Sequence, residues 1–423
     1  MGLPPPPTVD PPLVRDLRET LDALGYAPGA FGAAVAGELP TDARLATALR
    51  LFARGEEVSL EDAGAALDPT GAARLGLVHL DGEVVRPNVR IVPHDILLLA
   101  SDLPATPPPS DHVAAAHDPS LTLARLTVRR PVERALDLGT GNGIQALLLA
   151  AHAKTVVATD VSERALRFTD LNAALNGRTN IETRLGNWLD PVAGERFDCI
   201  VCSPPYVISP ESHLLYRDAG MRGDALSEQL VRDLPALLDD GGFATVLVSW
   251  VPQGGDPEPL AWPPKDCSAL VVPLHDETAQ AAAEYWHADL PPAEGRAGVE
   301  RWLDYYRREG IDSIAYGAVV VQRGAEHPWR DWVDLPGGPR GAAGAQLERI
   351  FEAHVTPLPP RYAWATGVQF APSGQTSTVS IQPGLGLAVE LPVETLANVE
   401  SGVDANPAVV SDLWSLGFLV ARP

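Results

Sequence analysis

The run "FDCIVC", residues 197–202, reads as a buried strand and passes straight into Ser203-Pro204-Pro205-Tyr206. Two consecutive prolines fix φ, remove two amide donors and push the residue before them out of the helical region. A strand end locked in this way presents something, here a hydroxyl, a proline carbonyl and a phenol ring. Upstream, the strand-like "ALDLG" runs into "GTGNG" and then into the apolar helical run "IQALLLAAHA", so Gly139, Gly141 and Gly143 sit where a strand turns into a helix. Small residues at such a turn let a ligand approach the amides of a helix N-terminus. The next β-type run, "TVVATD", ends in Asp160. An acidic strand end about 20 residues past the glycines is where an adenosine ribose has its hydroxyls hydrogen-bonded. The combination specifies an adenosine-containing cofactor and leaves two candidates. A dinucleotide wants GxGxxG, to rest its pyrophosphate on the helix end, whereas the glycines of "GTGNGI" alternate and Ile144 follows. S-adenosylmethionine has no phosphate, and its methionine portion lies over a glycine-rich turn.

These residues need a scaffold, and the chain has length for two or three domains at roughly 100–200 residues each. From about residue 130 to 323, apolar β-type runs ("ERALDLG", "TVVATD", "NIETRLG", "FDCIVC", "FATVLVSWV", "SALVVPL", "SIAYGAVVVQR") mostly alternate with helical segments. That alternation predicts an α/β fold: a mostly parallel sheet covered on both faces, with ligands at the carboxyl ends of its strands. Before it, "PLVRDLRETLDALGY" and "TDARLATALRLFARG" have helical spacing, the second with Thr41 as cap, and a third short helical stretch precedes a hairpin broken at Asp81-Gly82. Helix, helix, helix, hairpin describes either a winged-helix-like module or a plain helical cap. The Pro-rich "SDLPATPPPSD" places a boundary near residue 105, and "HPWRDWVDLPGGPRG" reads as a second linker. The expected domains are therefore 1–105, helical or winged-helix-like and substrate-recognising; 106–325, catalytic; and 326–423, a small α+β accessory domain. The closing "LWSLGFLV" echoes "ARLGLVHL" near the start, a short hint of a second winged-helix-like cap.

Composition narrows the partners. The formal net charge of −23 is spread along the chain, with 8 basic against 15 acidic residues in 1–105, 19 against 30 in 106–325, and 5 against 10 in 326–423. No third is basic, so composition shows no phosphate-neutralising footprint of a nucleic-acid binder. No run of roughly 18 apolar residues occurs, and "MGLPPPPTVDPP" has neither a basic start nor an apolar signal core, which makes a cytoplasmic protein without membrane contact the expectation. Three cysteines, Cys199, Cys202 and Cys267, provide no disulfide framework. "CIVC" matches a CxxC spacing, but residues i and i+3 of a strand point to opposite faces, so buried strand positions are expected instead of metal ligands.

At this point the chain resembles the class I S-adenosylmethionine-dependent methyltransferases that act on amino or amide nitrogen. The resemblance rests on Asp137 to Gly143, Asp160, "GNWLDPV" after the third strand, and Ser203-Pro204-Pro205-Tyr206 at the tip of the fourth, and it covers roughly residues 115–250. It implies a Rossmann-like seven-stranded methyltransferase sheet with helices on both faces. It also implies S-adenosyl-L-methionine as cofactor, held by Asp137, Gly139, Thr140, Gly141, Gly143, Asp160, Asn187 and Trp188. The family most often has an acidic residue where this chain has Asn187, whose oxygen can still accept a bond from the adenine amino group. Ser203 stands where glutamine-modifying members have Asn, and some cytosine amino methyltransferases carry Ser.

The implied chemistry is methyl transfer to a planar nitrogen whose lone pair is delocalised. Accepting both of its hydrogens, at the Ser203 side chain and the Pro204 carbonyl, pyramidalises it, while Pro205 helps freeze the acceptors and Tyr206 stacks on the target. No strong general base or metal is required. The simplest acceptor is a protein glutamine side chain, as in release-factor methyltransferases. The alternatives are a ribosomal RNA or DNA base amino group, a small molecule, or a noncatalytic cofactor-binding protein. The polar loop Tyr216 to Asp224 reads either as a substrate-contacting lid or as an internally paired solvated loop.

Overall fold

The computed structural model describes residues 3–105, 107–211, 214–215, 223–335, 337–401 and 406–422. The loop from Tyr216 to Asp224 lies outside these residues except for Gly223 and Asp224.

The predicted alternation becomes one large sheet. Its strands are β1 (Val132–Leu138), β2 (Ala153–Asp160), β3 (Ile181–Leu185), β4 (Phe197–Cys202), β5 (Leu238–Trp250), β6 (Cys267–Thr278), β7 (Ser313–Arg323) and β8 (Arg330–Trp332). They lie in the order β8-β6-β7-β5-β4-β1-β2-β3. The strands β1 to β5 pair in parallel, while β7 runs antiparallel to both β5 and β6. This is the expected Rossmann-like seven-stranded methyltransferase arrangement with one strand added. The added strand, β8, lies inside the stretch expected to be a linker and pairs with Ala269–Val271 of β6. That stretch therefore does not hang free, because Trp329, Val333 and Leu335 pack against the core beneath the sheet.

The chain winds outward from β1 through β2 to β3, then returns to lay β4 on the other side of β1. The loops leaving β1 and β4 thus diverge, opening a crevice at the carboxyl edge of the sheet. The two cysteines of β4 take opposite faces: Cys199 packs with Ala135 and Phe243, Cys202 with Leu136 and Ala244. Their sulfurs cannot share a metal ion.

In the N-terminal part, helices Ala43–Phe52, Leu60–Ala66 and Pro69–Arg74 surround strand Val58–Ser59 and the hairpin Val78–Asp81/Val84–Pro87, whose second strand also pairs with Val58–Ser59. The cap of the first of these helices is Asp42, which accepts from the amides of Arg44 and Leu45, and not Thr41. A carboxylate there also opposes the positive helix end. A second hairpin, Val89–His94/Leu97–Asp102, was not legible because its turn uses Asp95 at φ 50° in place of glycine.

This module shares its core with the helix Glu163–Leu175, whose Ala165, Phe168, Leu171 and Leu175 pack among its leucines. Two asparagines complete the seam. The Asn172 carboxamide accepts from the Ala100 amide at 2.7 Å and donates to the Ala100 carbonyl at 2.9 Å, and Asn176 does the same with Leu98 at 2.9 and 2.8 Å. Residues four apart on a helix and two apart on a strand have similar spacing, so the side chains stand in for a neighbouring strand.

Below them, Arg164 grips Asp102 through two nitrogens, with side chains only 7% and 0% exposed. Asp102→Ala leaves a buried, unpaired guanidinium and is expected to cost about 3–5 kcal/mol, read as a lower urea midpoint with unchanged slope.

Near the C-terminus, helix Gly344–Val355 places Leu347, Ile350 and Phe351 against the sheet, where Phe351 meets Phe243 edge-on at 5.1 Å. The final strand Leu419–Ala421 follows helix Pro407–Ser415 and pairs with Tyr362–Trp364.

Candidate active site

A cavity of about 690 Å³ occupies the crevice. It is lined by all of the residues singled out in the sequence except Gly143: Asp137, Gly139, Thr140, Gly141, Asp160, Asn187, Trp188, Ser203, Pro204, Pro205 and Tyr206. Gly143 caps the following helix at φ 84°, where a Cβ would meet Thr169 at 3.0 Å, so it serves the backbone.

The glycine turn is built by backbone bonds to β2. The amides of Gly139 and Thr140 both donate to the Thr159 carbonyl at 2.9 Å, and the Gly141 amide donates to Asp160 Oδ2 at 2.9 Å. Gly139 and Gly141 have φ of 74° and 58°, and a Cβ on either would meet nothing within 4 Å. What requires glycine at these two positions is the left-handed backbone. Asp160 Oδ1 also accepts from the Ser162 amide at 2.9 Å, and burial raises its carboxyl above the usual range despite these bonds.

Asp137 is almost fully buried, and its Oδ2 accepts from Thr140 Oγ1 at 2.7 Å and from the Ala146 amide at 2.9 Å. Burial pushes its carboxyl up to about 7, against the lowering effect of both hydrogen bonds. The folded value exceeds the unfolded one, so folding takes up a proton between them and stability falls as pH rises from about 4 to about 7. Asp137→Asn keeps an oxygen for both donors and abolishes the titration. The variant should therefore gain on the wild type across this window, by on the order of 3–4 kcal/mol, in urea unfolding measured at pH 4.5 and 8.

Past β3, Trp188 sits at φ 44°, a conformation a bulky side chain adopts only when its surroundings dictate it. It packs partly on the core beneath β4 while also facing the cavity, between the two roles the sequence leaves open. At the tip of β4, the Tyr206 amide donates to the Pro204 carbonyl at 2.8 Å, tightening the turn and leaving that oxygen one lone pair. Ser249 Oγ donates to the Tyr206 carbonyl. Burial raises the Tyr206 phenol well above its ordinary value, so the ring acts as a neutral surface.

Sequence reasoning missed two parts of the wall. One is the segment 111–120, tied down where Asn142 Nδ2 donates to the Ala114 carbonyl at 3.1 Å and Gln145 Nε2 to the Ser120 carbonyl at 2.6 Å. The other is His275 and Glu277 on β6 with Tyr316 on β7. A register shift between Pro273 and His275 aims this pair at the crevice, and His275 stacks on Tyr316 at 4.8 Å. Gly317, beside Tyr316, has no room for a Cβ, which would lie 2.5 Å from the Val272 carbonyl. No sequence pattern announces such a bulge.

S-adenosylmethionine suits these groups. Asp160 offers a carboxylate for ribose hydroxyls, Asn187 an oxygen for an adenine amino group, and the buried Thr159 hydroxyl on the cavity wall has no hydrogen-bond partner among the described residues.

Residues 118–243 match the family model of the methyltransferase small domain. The release factor glutamine methyltransferase of Xylella fastidiosa is 36% identical over 129 residues, 28% of this chain and 47% of that protein. The ribosomal protein uL3 glutamine methyltransferase of Bradyrhizobium diazoefficiens is 35% identical over 126 residues, 26% of this chain and 40% of that protein. The chain thus spans about half or less of the length of the curated relatives it matches. Among solved structures, a ribosomal protein L11 methylase from Lactobacillus delbrueckii subsp. bulgaricus aligns at 26% identity over 30% of this chain and 56% of that one, with a TM-score of 0.24, too low to argue from. Among the described residues, no helix is long and apolar enough to cross a membrane.

Proposed function

With residues 118–243 a class I S-adenosylmethionine-dependent methyltransferase domain similar to the release factor glutamine methyltransferases, we propose that this protein methylates the side-chain amide nitrogen of a glutamine in a protein partner. The observation that carries the reading is that one cavity joins the glycine turn and Asp160 to the Ser203–Tyr206 tip. The cofactor, when bound, supplies a methyl group already activated by its sulfonium. The remaining work falls to the chain. Asp160 accepts the ribose hydroxyls, and the Asn187 oxygen accepts from the adenine amino group. Ser203 Oγ and the free lone pair of the Pro204 carbonyl accept the two hydrogens of the target nitrogen, which localises its lone pair toward the methyl. Tyr206 covers the flat amide and keeps water out.

A protein acceptor is supported by the charge of the site. Asp111, Asp118, Asp160 and Glu277 line the cavity, and no Lys or Arg does among the described residues. A phosphate-bearing strand would meet like charge there. In this reading 106–325 is the catalytic domain, 1–105 holds the partner against the crevice, and 326–423 braces the sheet from below.

The test is transfer of a labelled methyl group from S-adenosylmethionine to fractionated cell proteins and to ribosomal RNA, followed by protease or nuclease digestion. Label that is released by protease and recovered as N-methylglutamine supports the reading. Label released by nuclease replaces it with a base amino methyltransferase.

A further inference from the structure

The cavity continues past the β4 tip into a compartment whose walls are Tyr206, Tyr285, Trp286 and Tyr316, with His275 and Glu277 on β6. Tyr206 meets Tyr316 edge-on at 6.3 Å, Tyr316 stacks on His275 at 4.8 Å, and burial together with the neighbouring Glu277 charge raises the Tyr316 phenol well above its ordinary value. Glu277 is thus a half-buried carboxylate beside a ring that is itself packed on two sides. His275 and Glu277 are two apart on one strand and share a face, which the bulge at Pro273–His275 directs to the crevice. A carboxylate offers about four acceptor positions, more than the one a neighbouring phenol could use, so acceptor capacity remains toward the compartment. On the other side, Ser203 offers only a hydroxyl and the Pro204 carbonyl is half used. Flat aromatic walls around one anchored carboxylate suit a planar group rich in N–H donors, and they oppose an anion.

Resting on the methyltransferase reading above, we propose that Glu277 is the specificity-determining acceptor of this compartment. It shares with Ser203 Oγ, as a second acceptor, the N–H that this hydroxyl takes from a protein side-chain amide, and it turns away phosphate-bearing acceptors. Tyr316 acts through it as a positioning residue.

The experiment uses the full chain saturated with S-adenosylhomocysteine, so that no turnover is needed. Saturation-transfer NMR titrations compare N-acetylglutamine methylamide with N-acetylglutamate γ-methyl ester methylamide, which has a similar shape but no side-chain N–H, and with adenosine 5′-monophosphate. The wild type is expected to bind the amide about tenfold tighter than the ester and to show no preference for the nucleotide. Glu277→Met should bind amide and ester equally, and Tyr316→Phe should lose part of the preference. Both variants should hold S-adenosylhomocysteine within about twofold of wild type, which shows that they are folded. An amide preference that survives in Glu277→Met, a wild type that binds neither probe or does not distinguish them, or tighter binding of the nucleotide overturns the proposal. A wild type that fails to bind S-adenosylhomocysteine instead overturns the methyltransferase reading itself.

Discussion

Asp160→Ala is expected to abolish measurable binding of S-adenosylmethionine. Two separate losses add in this variant. The first is direct: a carboxylate at the end of β2 has two oxygens for the vicinal ribose hydroxyls, and hydrogen bonds to a charged group contribute about 1.5–3 kcal/mol each. The second is organisational, because Asp160 Oδ2 also holds the Gly141 amide and Oδ1 the Ser162 amide. Without those ties the glycine turn and the start of the helix Glu163–Leu175 lose their fixed spacing, and the binding face must be ordered when the ligand arrives. Together the losses exceed a hundredfold in affinity, since every 1.4 kcal/mol is tenfold. Calorimetric titration is the measurement, with Asp160→Asn as control. Its carboxamide oxygen keeps one acceptor, so it should bind more weakly than wild type and more tightly than Asp160→Ala. Full affinity in the alanine variant would place the ribose elsewhere.

Tyr206→Ala is expected to do the opposite, sparing cofactor binding and lowering turnover by about a hundredfold or more. The ring lies at the junction between the cofactor end of the cavity and the aromatic compartment, and it touches Tyr316. Its removal leaves the glycine turn and Asp160 intact but takes away the surface against which a flat acceptor is held. Misplacement of a reacting group by about 1 Å is enough for losses of this size. The backbone contribution of residue 206 survives the substitution, because its amide still reaches the Pro204 carbonyl and its carbonyl still accepts from Ser249. Tyr206→Phe separates ring from hydroxyl. A phenol raised well above its ordinary range carries no proton-transfer role at neutral pH, so the phenylalanine variant should retain most of the activity. Single-turnover rates alongside binding affinities make the distinction. An unimpaired Tyr206→Ala would remove the β4 tip from the reaction.

The parts of the site that were legible in the sequence share one property: each is a strand end with its own loop. Gly139 and Gly141 needed positive φ, Asp160 closed an apolar run, and Pro204-Pro205 stiffened the end of β4. Those are local constraints, visible within a few residues. Boundaries were less secure where two local solutions compete. Asp42 took the cap expected of Thr41, and Asp95 turned a hairpin without glycine. The stretch expected to be a linker became β8 because the exposed edge of β6 offered unpaired backbone, a demand that lies 61 residues away in the chain.

Local periodicity and turn chemistry thus determined that this chain folds as an alternating α/β sheet, that a left-handed glycine turn follows β1 and that a stiff Pro-Pro tip follows β4. Tertiary structure alone decided what surrounds that tip. Glu277 and Tyr316 reach the crevice because β7 returns antiparallel between β5 and β6 and because β6 slips its register at Pro273–His275. Asn172 joins the N-terminal strand to the glycine turn through one carboxamide, donating to the Ala100 and Asn142 carbonyls at 2.9 and 2.7 Å. In each case the partners are tens of residues apart, and their pairing depends on strand order and on the packing of buried surfaces. No short window of sequence contains that information.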